Sequence, residues 1–248
     1  MRLKPLTITF FLSSLLVLTW SGCDKDDDND DGGDTSSAKE IMIVVQPMVG
    51  AEAVELNTAY DINGQSVTFD RLKFYLSNIQ VTDDEGNVLA DNDGLPILAD
   101  TEQNGIIVGE TEEPQLYMIT FGAGVDSTAN TGSPMTNPYP LDDTEMHWNW
   151  NPGGGYKSFV MEGTVDGNDF VTHAAAPDVS SNIIYQEGIT ADLQTVSTTG
   201  DHIHIELQVD LADMLDGLTI PDGPSMGTAE FNRNYMNKLG TGTPFSIE

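Results

Sequence analysis

From Lys39 to the end of the chain, apolar residues come in short runs separated by Gly, Pro, Asn and Asp, a pattern that favours strands joined by turns. In His202–Val209, apolar and polar side chains alternate strictly, as expected of a strand with one face on a core and the other in water. Further strands are predicted at Ile41–Val45, Leu72–Val81, Leu116–Phe121, Phe159–Val165 and Phe170–His173.

One of these predicted strands changes its alternation part-way. Apolar residues alternate from Leu72 to Leu76, whereas Ile79 and Val81 take the opposite parity beyond Asn78. Because an extra residue in a strand moves the following side chains to the other face, the sequence predicts a β-bulge at Asn78.

Helical signals are few. Leu211–Leu215 favours a short turn or helix, and Ala229–Leu239, which ends at Gly240, favours a second short helix. We therefore expect an all-β fold: a single antiparallel β-sandwich domain with long loops and one or two short helices. The connections around Gly122–Pro140 and Val179–Thr199 are rich in loop-forming residues and available for function.

The N-terminal residues are typical of a secretory signal peptide. Arg2 and Lys4 precede an apolar run, Leu6–Trp20, which is shorter than the roughly 20 residues of a membrane-spanning helix. The run ends in Ser21-Gly22-Cys23 and, with Leu18 to Trp20, resembles the lipobox of bacterial lipoproteins. This predicts a signal peptide at 1–22 and a lipid on Cys23 that anchors the chain to a membrane.

Cys23 is the one cysteine of the 248 residues. A mature chain with its cysteine lipidated has no disulfide, thiolate zinc site or cysteine nucleophile. Its stability must then come from an ordinary hydrophobic core, which a domain of this length can bury.

The stretch Asp24–Ser37 contains no apolar residue. Such a segment cannot bury surface to offset chain entropy, so residues 23–38 are predicted to be a lipidated, acidic, disordered tether ahead of a domain at 39–248. Lys25 followed by acidic residues resembles the export signal of Bacteroidetes surface lipoproteins. We therefore expect an outer-membrane lipoprotein whose domain lies on the cell surface. The alternative is that the acidic segment is only a spacer and that the protein faces the periplasm.

The chain is strongly acidic, with 40 Asp and Glu against 9 Lys and Arg and a formal net charge of −31. This balance argues against nucleic acid as a partner, because a polyanion requires a basic surface. An acidic surface does concentrate cations, which permits metal binding without selecting a metal.

Two Trp, one His and three consecutive Gly fall within Met146–Lys157. In a strand, Trp148 and Trp150 would share one face and His147 the other. The two Trp could close one end of the sandwich while the glycines form a turn, or they could line a binding site.

Several blocks, in this order, resemble the MbnP-like copper-binding family. They are Phe69–Ile79, Ile119–Asp126 with the later Asn130, Met146–Trp150, Gly155–Lys157 and Glu162-Gly163. The resemblance implies a β-rich extracytoplasmic domain that binds copper through histidines, in some members with a tryptophan oxidised to kynurenine by a dihaem peroxidase-like partner. Trp148 and Trp150 are the positions that could be oxidised. The cysteine pair that methanotroph members often carry is missing.

The histidines are the candidate metal ligands. His202 and His204 lie two apart in the alternating strand, so both point away from its apolar face and could share one ion. His173 ends a predicted strand ahead of small residues, and His147 lies in the Trp-rich segment. Each could instead be an ordinary surface histidine.

Imidazoles without a thiolate suit copper, zinc or nickel, and copper binds most tightly of the three. We therefore expect an extracytoplasmic copper-binding lipoprotein, with His147, His173, His202 and His204 as candidate ligands. The alternative is a glycan- or protein-binding module that uses Trp148, Trp150 and Tyr156 as exposed aromatics. No compact catalytic motif is present, so we do not expect an enzyme.

Overall fold

Strands form most of the regular structure in this computed structural model, which describes residues 38–102, 105–112, 115–148, 155–176, 183–193 and 197–248. The strands are β1 (Lys39–Val49), β2 (Glu52–Ala53), β3 (Ala59–Ile62), β4 (Gln65–Thr82), β5 (Val88–Asp91), β6 (Ile97–Ala99), β7 (Ile106–Thr111), β8 (Met118–Ala123), β9 (Lys157–Val165), β10 (Asn168–Ala175), β11 (Gln186–Asp192), β12 (Ser197–Thr199), β13 (His202–Asp210), β14 (Pro224–Gly227) and β15 (Phe245–Ile247). The helices are α1 (Leu211–Leu215) and α2 (Glu230–Gly240), and a 3-10 turn spans Thr144–Met146.

The strands form two sheets that face each other across one core. The six-stranded sheet has the order β12-β13-β1-β2, with β15 beside β13 and β7 beside β1. The nine-stranded sheet has the order β11-β8-β4-β9-β10-β14, with β3, β5 and β6 along β4. Alternate residues of both sheets meet in a single buried cluster that includes Ile41, Ile203, Phe74 and Phe159. The prediction of an all-β sandwich with two short helices is confirmed.

The sheets are mixed, which corrects the expectation of purely antiparallel strands. β1 runs parallel to β13, with Glu40 opposite His202 and Met42 opposite His204. β10 runs parallel to β14, with His173 opposite Met226. Long connections separate both pairs in sequence, so neither is restricted to the antiparallel arrangement that a tight hairpin imposes.

The predicted irregularity in β4 is present. Asn78 has a φ of 53°, a left-handed conformation that Asn tolerates better than most residues, and the pairing with β8 shifts register between Ser77 and Gln80. The Asn78 amide donates to Asp126 Oδ2 at 2.7 Å and to the Tyr185 hydroxyl at 2.9 Å. The bulge therefore turns a side chain outward, where it ties β4 to two loops.

Helix α2, which follows β14 in the chain, packs against both β10 and β14. Tyr235, Met236 and Leu239 are buried from its inner face. The fully buried Asn232 amide nitrogen lies 3.1 Å from the carbonyl oxygen of His173 and 3.0 Å from that of Ser225. These bonds fix β10 beside β14 at the level of His173. Among the described residues, no helix is long and apolar enough to cross a membrane.

The predicted signal peptide, Cys23 and the acidic tether as far as Ser37 lie outside the described residues.

Candidate functional site

The outer face of the nine-stranded sheet is covered by the β8–β9 connection, residues 124–156, of which 149–154 lie outside the described residues. Tyr75 on β4 and Val160 on β9 point away from the main core, yet both are buried. They form a second apolar cluster with residues of the connection, namely Val125, Leu141, Met146 and Tyr156. A loop thus packs on the sheet as a third layer.

Hydrogen bonds from two tyrosines hold the β8–β9 connection, hereafter the cover, in place. The Tyr75 hydroxyl donates to Pro140 O at 3.0 Å, and the Tyr156 hydroxyl donates to Leu141 O at 2.5 Å. The Tyr156 N–H donates to Asn130 Oδ1 at 2.6 Å. Gly155 has a φ of 51°, and a Cβ there would lie 2.2 Å from Asn130 Oδ1, so this close approach requires glycine. Because Tyr156 is buried, the alternative reading of it as an exposed aromatic is wrong.

Beside the cover, cations and carboxylates form a connected row. Lys73 Nζ lies 2.9 Å from Asp143 Oδ2 and 3.4 Å from Glu145 Oε2. Arg71 lies 3.2 Å from Glu145 Oε2 and 3.3 Å from Glu162 Oε1. The 3-10 turn supplies Glu145 and its N-cap residue is Asp143, while the cations come from outward positions of β4. These ion pairs therefore tie the connection to the sheet beneath it.

Lys157 begins β9 next to the same row. Its ammonium donates to the backbone oxygen of Glu145 at 2.6 Å, and its residue is buried. Burial lowers the pKa of Lys157, and the nearby Arg71 adds to that effect. Three of the nine Lys and Arg of the chain thus lie on this one face.

His173 lies at an outward position of β10, between Val160 on β9 and Met226 on β14. Its Nε2 is 2.7 Å from Glu162 Oε1, the carboxylate oxygen that also faces Arg71. Burial lowers the pKa of His173, and although the hydrogen bond to Glu162 opposes this, the net direction is downward. The lowered pKa favours the neutral ring, the form that binds a metal ion.

His147 and Trp148 reach the same face through the cover. His147 pairs with Tyr156 in a short bridge, and their rings meet edge to face with centroids 4.9 Å apart. The Trp148 N–H donates to Gly155 O at 3.1 Å. A Cβ on Gly227 of β14 would lie 3.3 Å from Trp148 Cη2, so the indole extends over the residue that follows Met226. Trp150 lies outside the described residues.

His202 and His204 lie on the opposite side of the sandwich. Their strand β13 buries Ile203, Ile205 and Leu207 in the core, so both histidines point outward from the six-stranded sheet. Folding therefore brings His147 and His173 to one outer face and the His202/His204 pair to the other. The four candidate ligands therefore fall into two groups that cannot share one ion.

A ready-made metal site is missing from the part of the chain that the structure describes: it contains no group of three or more His, Cys, Asp or Glu arranged to hold a metal ion. The donors on this face of the sheet are nevertheless of the types that copper accepts, namely imidazole from His147 and His173 and the thioether of Met226. Met226 is 43% exposed. The donor chemistry fits copper, whereas the residues described do not form a complete coordination shell.

Comparison with known proteins identifies the family. The model of the MbnP family matches residues 38–232, which is most of the chain. The chain belongs to the MbnP family.

One solved structure of this family is similar to the present fold. MbnP from Methylosinus trichosporium superposes with a TM-score of 0.45 at 14% sequence identity, over 78% of this chain and 82% of that one. A comparison with curated proteins gives no match.

In this MbnP-family chain, the sequence reasoning missed the residues that surround His173. Arg71 and Lys73 alternate with Leu72 and Phe74, so their outward direction was readable from the sequence. What could not be read was that a distant loop would bring carboxylates to meet them. Nothing in the sequence indicated Met226 as a neighbour of His173. The two residues lie side by side only because β10 and β14 pair in parallel.

Proposed function

We propose that this protein is an extracytoplasmic lipoprotein that binds copper at the outer face of the nine-stranded sheet, and that it is not an enzyme. One observation carries the proposal: the β8–β9 connection lays the Trp148 indole over Gly227, at the edge of the sheet where β10 and β14 present His173 and Met226. His147 directly precedes Trp148 in that connection. These residues are distant in sequence and are of the types that bind copper. Membership of the MbnP family supports a copper-related role outside the cytoplasm.

In this proposal, His173 and His147 are the imidazole ligands. Glu162 accepts a hydrogen bond from His173 Nε2, which fixes the ring and leaves Nδ1 with its lone pair. Arg71 holds the Glu162 carboxylate in turn. A bound copper ion supplies a soft cationic centre for these lone pairs, and the Met226 thioether favours the cuprous state.

The tryptophans add a modification to the proposal. Oxidation of Trp148 or Trp150 to kynurenine by a dihaem peroxidase-like partner would place a new amine donor beside the histidines. Trp148 lies over β14 within this region, which supports it as one of the two candidates. Mass spectrometry of protein from its native host tests this, because conversion adds oxygen and removes one carbon from the modified residue.

The location is part of the same proposal. A lipid on Cys23 would anchor the protein in the outer membrane, and Lys25 with the acidic residues after it would direct it to the cell surface. Replacement of Cys23 by Ser should release the protein from the membrane fraction. Deletion of residues 25–28 should leave folding intact but remove accessibility to external protease.

The decisive experiment is copper stoichiometry of the full-length protein in detergent at neutral pH. His173→Ala and His147→Ala should each lose one equivalent of copper relative to wild type. Val171→Ala, which changes the outward position two residues earlier on the same strand, is the matched control and should bind as wild type does. Retention of all bound copper by both histidine variants would show that this face holds no copper site.

A further inference from the structure

A second group of metal-binding side chains lies on the outer face of the six-stranded sheet. His202 and His204 project from β13, with ring centroids 6.0 Å apart at an angle of 78°. On the neighbouring strand β1, Glu40 lies opposite His202 and Met42 opposite His204. Paired residues of adjacent strands point to the same face, so two imidazoles and a carboxylate lie together on this face.

The contact between His202 and Glu40 is unusual. His202 Nδ1 lies 3.0 Å from Glu40 Oε2, yet this nitrogen is shielded from solvent and makes no hydrogen bond. A buried polar atom without a partner is unfavourable, because it loses its hydrogen bonds to water and gains none in exchange. The two atoms are close enough to interact, but their directions do not suit an N–H donor and an oxygen acceptor.

A metal ion between these two atoms would account for the geometry. With bonds of about 2.0–2.1 Å to nitrogen and oxygen, adjacent ligand atoms around one ion stand roughly 2.9–3.4 Å apart, for square-planar to tetrahedral arrangements. The observed separation of 3.0 Å falls in that range. Both lone pairs would then point at the ion and not at each other.

We propose that His202, His204 and Glu40 form a second metal site, for a divalent late first-row transition ion such as Cu²⁺ or Zn²⁺. His202 Nδ1 and Glu40 Oε2 are close enough to share an ion. The three side chains as they stand are not arranged to hold a metal ion, so His204 has to rotate about χ2, a soft torsion for an imidazole, to complete the set. His202 Nδ1 itself is shielded from solvent, so an ion reaches it when the ring, on a side chain that is 36% exposed, turns aside.

This site is independent of the copper site proposed above, because the core of the sandwich separates the two outer faces. It also differs in donor type. A carboxylate and two imidazoles suit a divalent ion, whereas the thioether at Met226 favours the cuprous state. The two proposals can therefore fail separately.

The test is titration of the full-length protein with Zn²⁺ and, separately, Cu²⁺, followed by calorimetry and by NMR of the histidine rings. We expect one equivalent of Zn²⁺ to shift the signals of His202 and His204 together. His202→Ala and His204→Ala should each abolish that equivalent, and Glu40→Gln should weaken it by about tenfold or more. Gln208→Ala, on the same face of β13, is the matched control and should leave it unchanged.

The variants His147→Ala and His173→Ala separate the two sites. They should leave Zn²⁺ binding at His202 and His204 intact, whatever they do to copper. Binding of Zn²⁺ or Cu²⁺ that is equal in wild type, His202→Ala and His204→Ala would overturn the second site. A shift of only one of the two rings at one equivalent would do so as well, since a shared ion must perturb both.

Discussion

Both outer faces of this sandwich consist of the outward-pointing residues of strands, but the two faces differ in how far those residues are buried. On the nine-stranded sheet, outward residues such as Tyr75 and Val160 are buried because the β8–β9 connection covers them. On the six-stranded sheet, the outward residues of β13 are half-buried and polar, with imidazoles at its start. Alternation thus decides which way a side chain points, whereas a distant loop decides whether that side chain meets water.

The difference extends to charge. Under the cover, Lys73 and Arg71 each face carboxylates, and Lys157 is buried enough to lower its pKa. At His202, the neighbour is a carboxylate on the adjacent strand. Ion pairs between the β8–β9 connection and the sheet thus consolidate the first face, whereas on the second face a histidine and a carboxylate meet across two strands. The following changes test that contrast, from the largest expected effect to the smallest.

Tyr156→Ala should have the largest effect, because it removes a ring that is 1% exposed and anchors the cover. Truncation of a buried aromatic typically costs about 3–5 kcal/mol of unfolding free energy. Tyr156→Phe keeps the ring and loses the bond to Leu141 O, so it should cost only about 0.5–1.5 kcal/mol. Denaturant unfolding measures both. A cost for Tyr156→Ala below that of the Phe variant would mean that the cover is not part of the cooperative fold.

Lys73→Met should cost about 1–3 kcal/mol, because it leaves the partly buried Asp143 carboxylate without its cation. The double variant Lys73→Met/Asp143→Asn should recover part of that loss, since no charge is then left unpaired. Chemical denaturation at pH 7 compares the three proteins. Equal stability of the two variants would show that Asp143 does not depend on Lys73.

The ion pair of Lys73 and Asp143 also predicts that the stability of the protein depends on pH. Burial raises the pKa of Asp143, but the Lys73 ammonium and the N–H of Glu145 outweigh burial and hold the pKa below its ordinary value. A carboxyl whose pKa is lower in the folded state stabilises the protein above its unfolded pKa of about 3.9, and this stabilisation is lost as the pH falls through the folded pKa. The stability difference between wild type and Lys73→Met should therefore shrink between pH 5 and pH 2, as approximate limits.

Glu162→Gln should weaken copper binding at the first face by about 10–100-fold, because it removes the carboxylate that orients His173. Glu145→Gln is the matched control: it removes the same charge and also faces Arg71, whereas the carboxylate that bonds to His173 is that of Glu162. Competition with a chromogenic copper chelator measures the affinity. Equal effects of the two variants would assign the loss to charge and not to orientation.

His204→Ala should have the smallest effect on the metal-free protein, within about 0.5 kcal/mol, because it changes an outward residue on the open face. Saturating Zn²⁺ should stabilise wild type but not this variant, since an ion that binds only the folded state raises its stability. Thermal unfolding with and without Zn²⁺ makes the comparison. Equal stabilisation of both proteins would contradict the second metal site.

The sequence predicted the strands whose alternation is long and regular. β13 and β9 lie where expected, α1 matches its predicted bounds, and the Asn78 bulge is present. It missed the short strands β3, β5, β6 and β7, and it placed a loop at Val179–Thr199 where β11 and β12 form. Strands of this kind gain their stability from pairing with partners that are remote in sequence, so local pattern carries little of their signal.

The candidate site was predictable only in its parts. Each of the four histidines could be placed on a strand or loop, but their distribution between two outer faces depends on the pairing of β13 with β1 and of β10 with β14. Parallel pairing of remote strands leaves no turn residues in the sequence to mark it. For the same reason Glu40 was not foreseen as the neighbour of His202.

The parallel pairing of β1 with β13 also sets how the domain resists force. A pull on Lys39 from its N-terminal side acts along β1, which is held by β13 on one side and by β7 and β2 on the other. Such a force acts on the hydrogen bonds along all nine paired positions of β1 and β13 at once. These bonds must therefore break together and not one after another. A domain tethered at this end would therefore stay folded under drag that would peel off an edge strand.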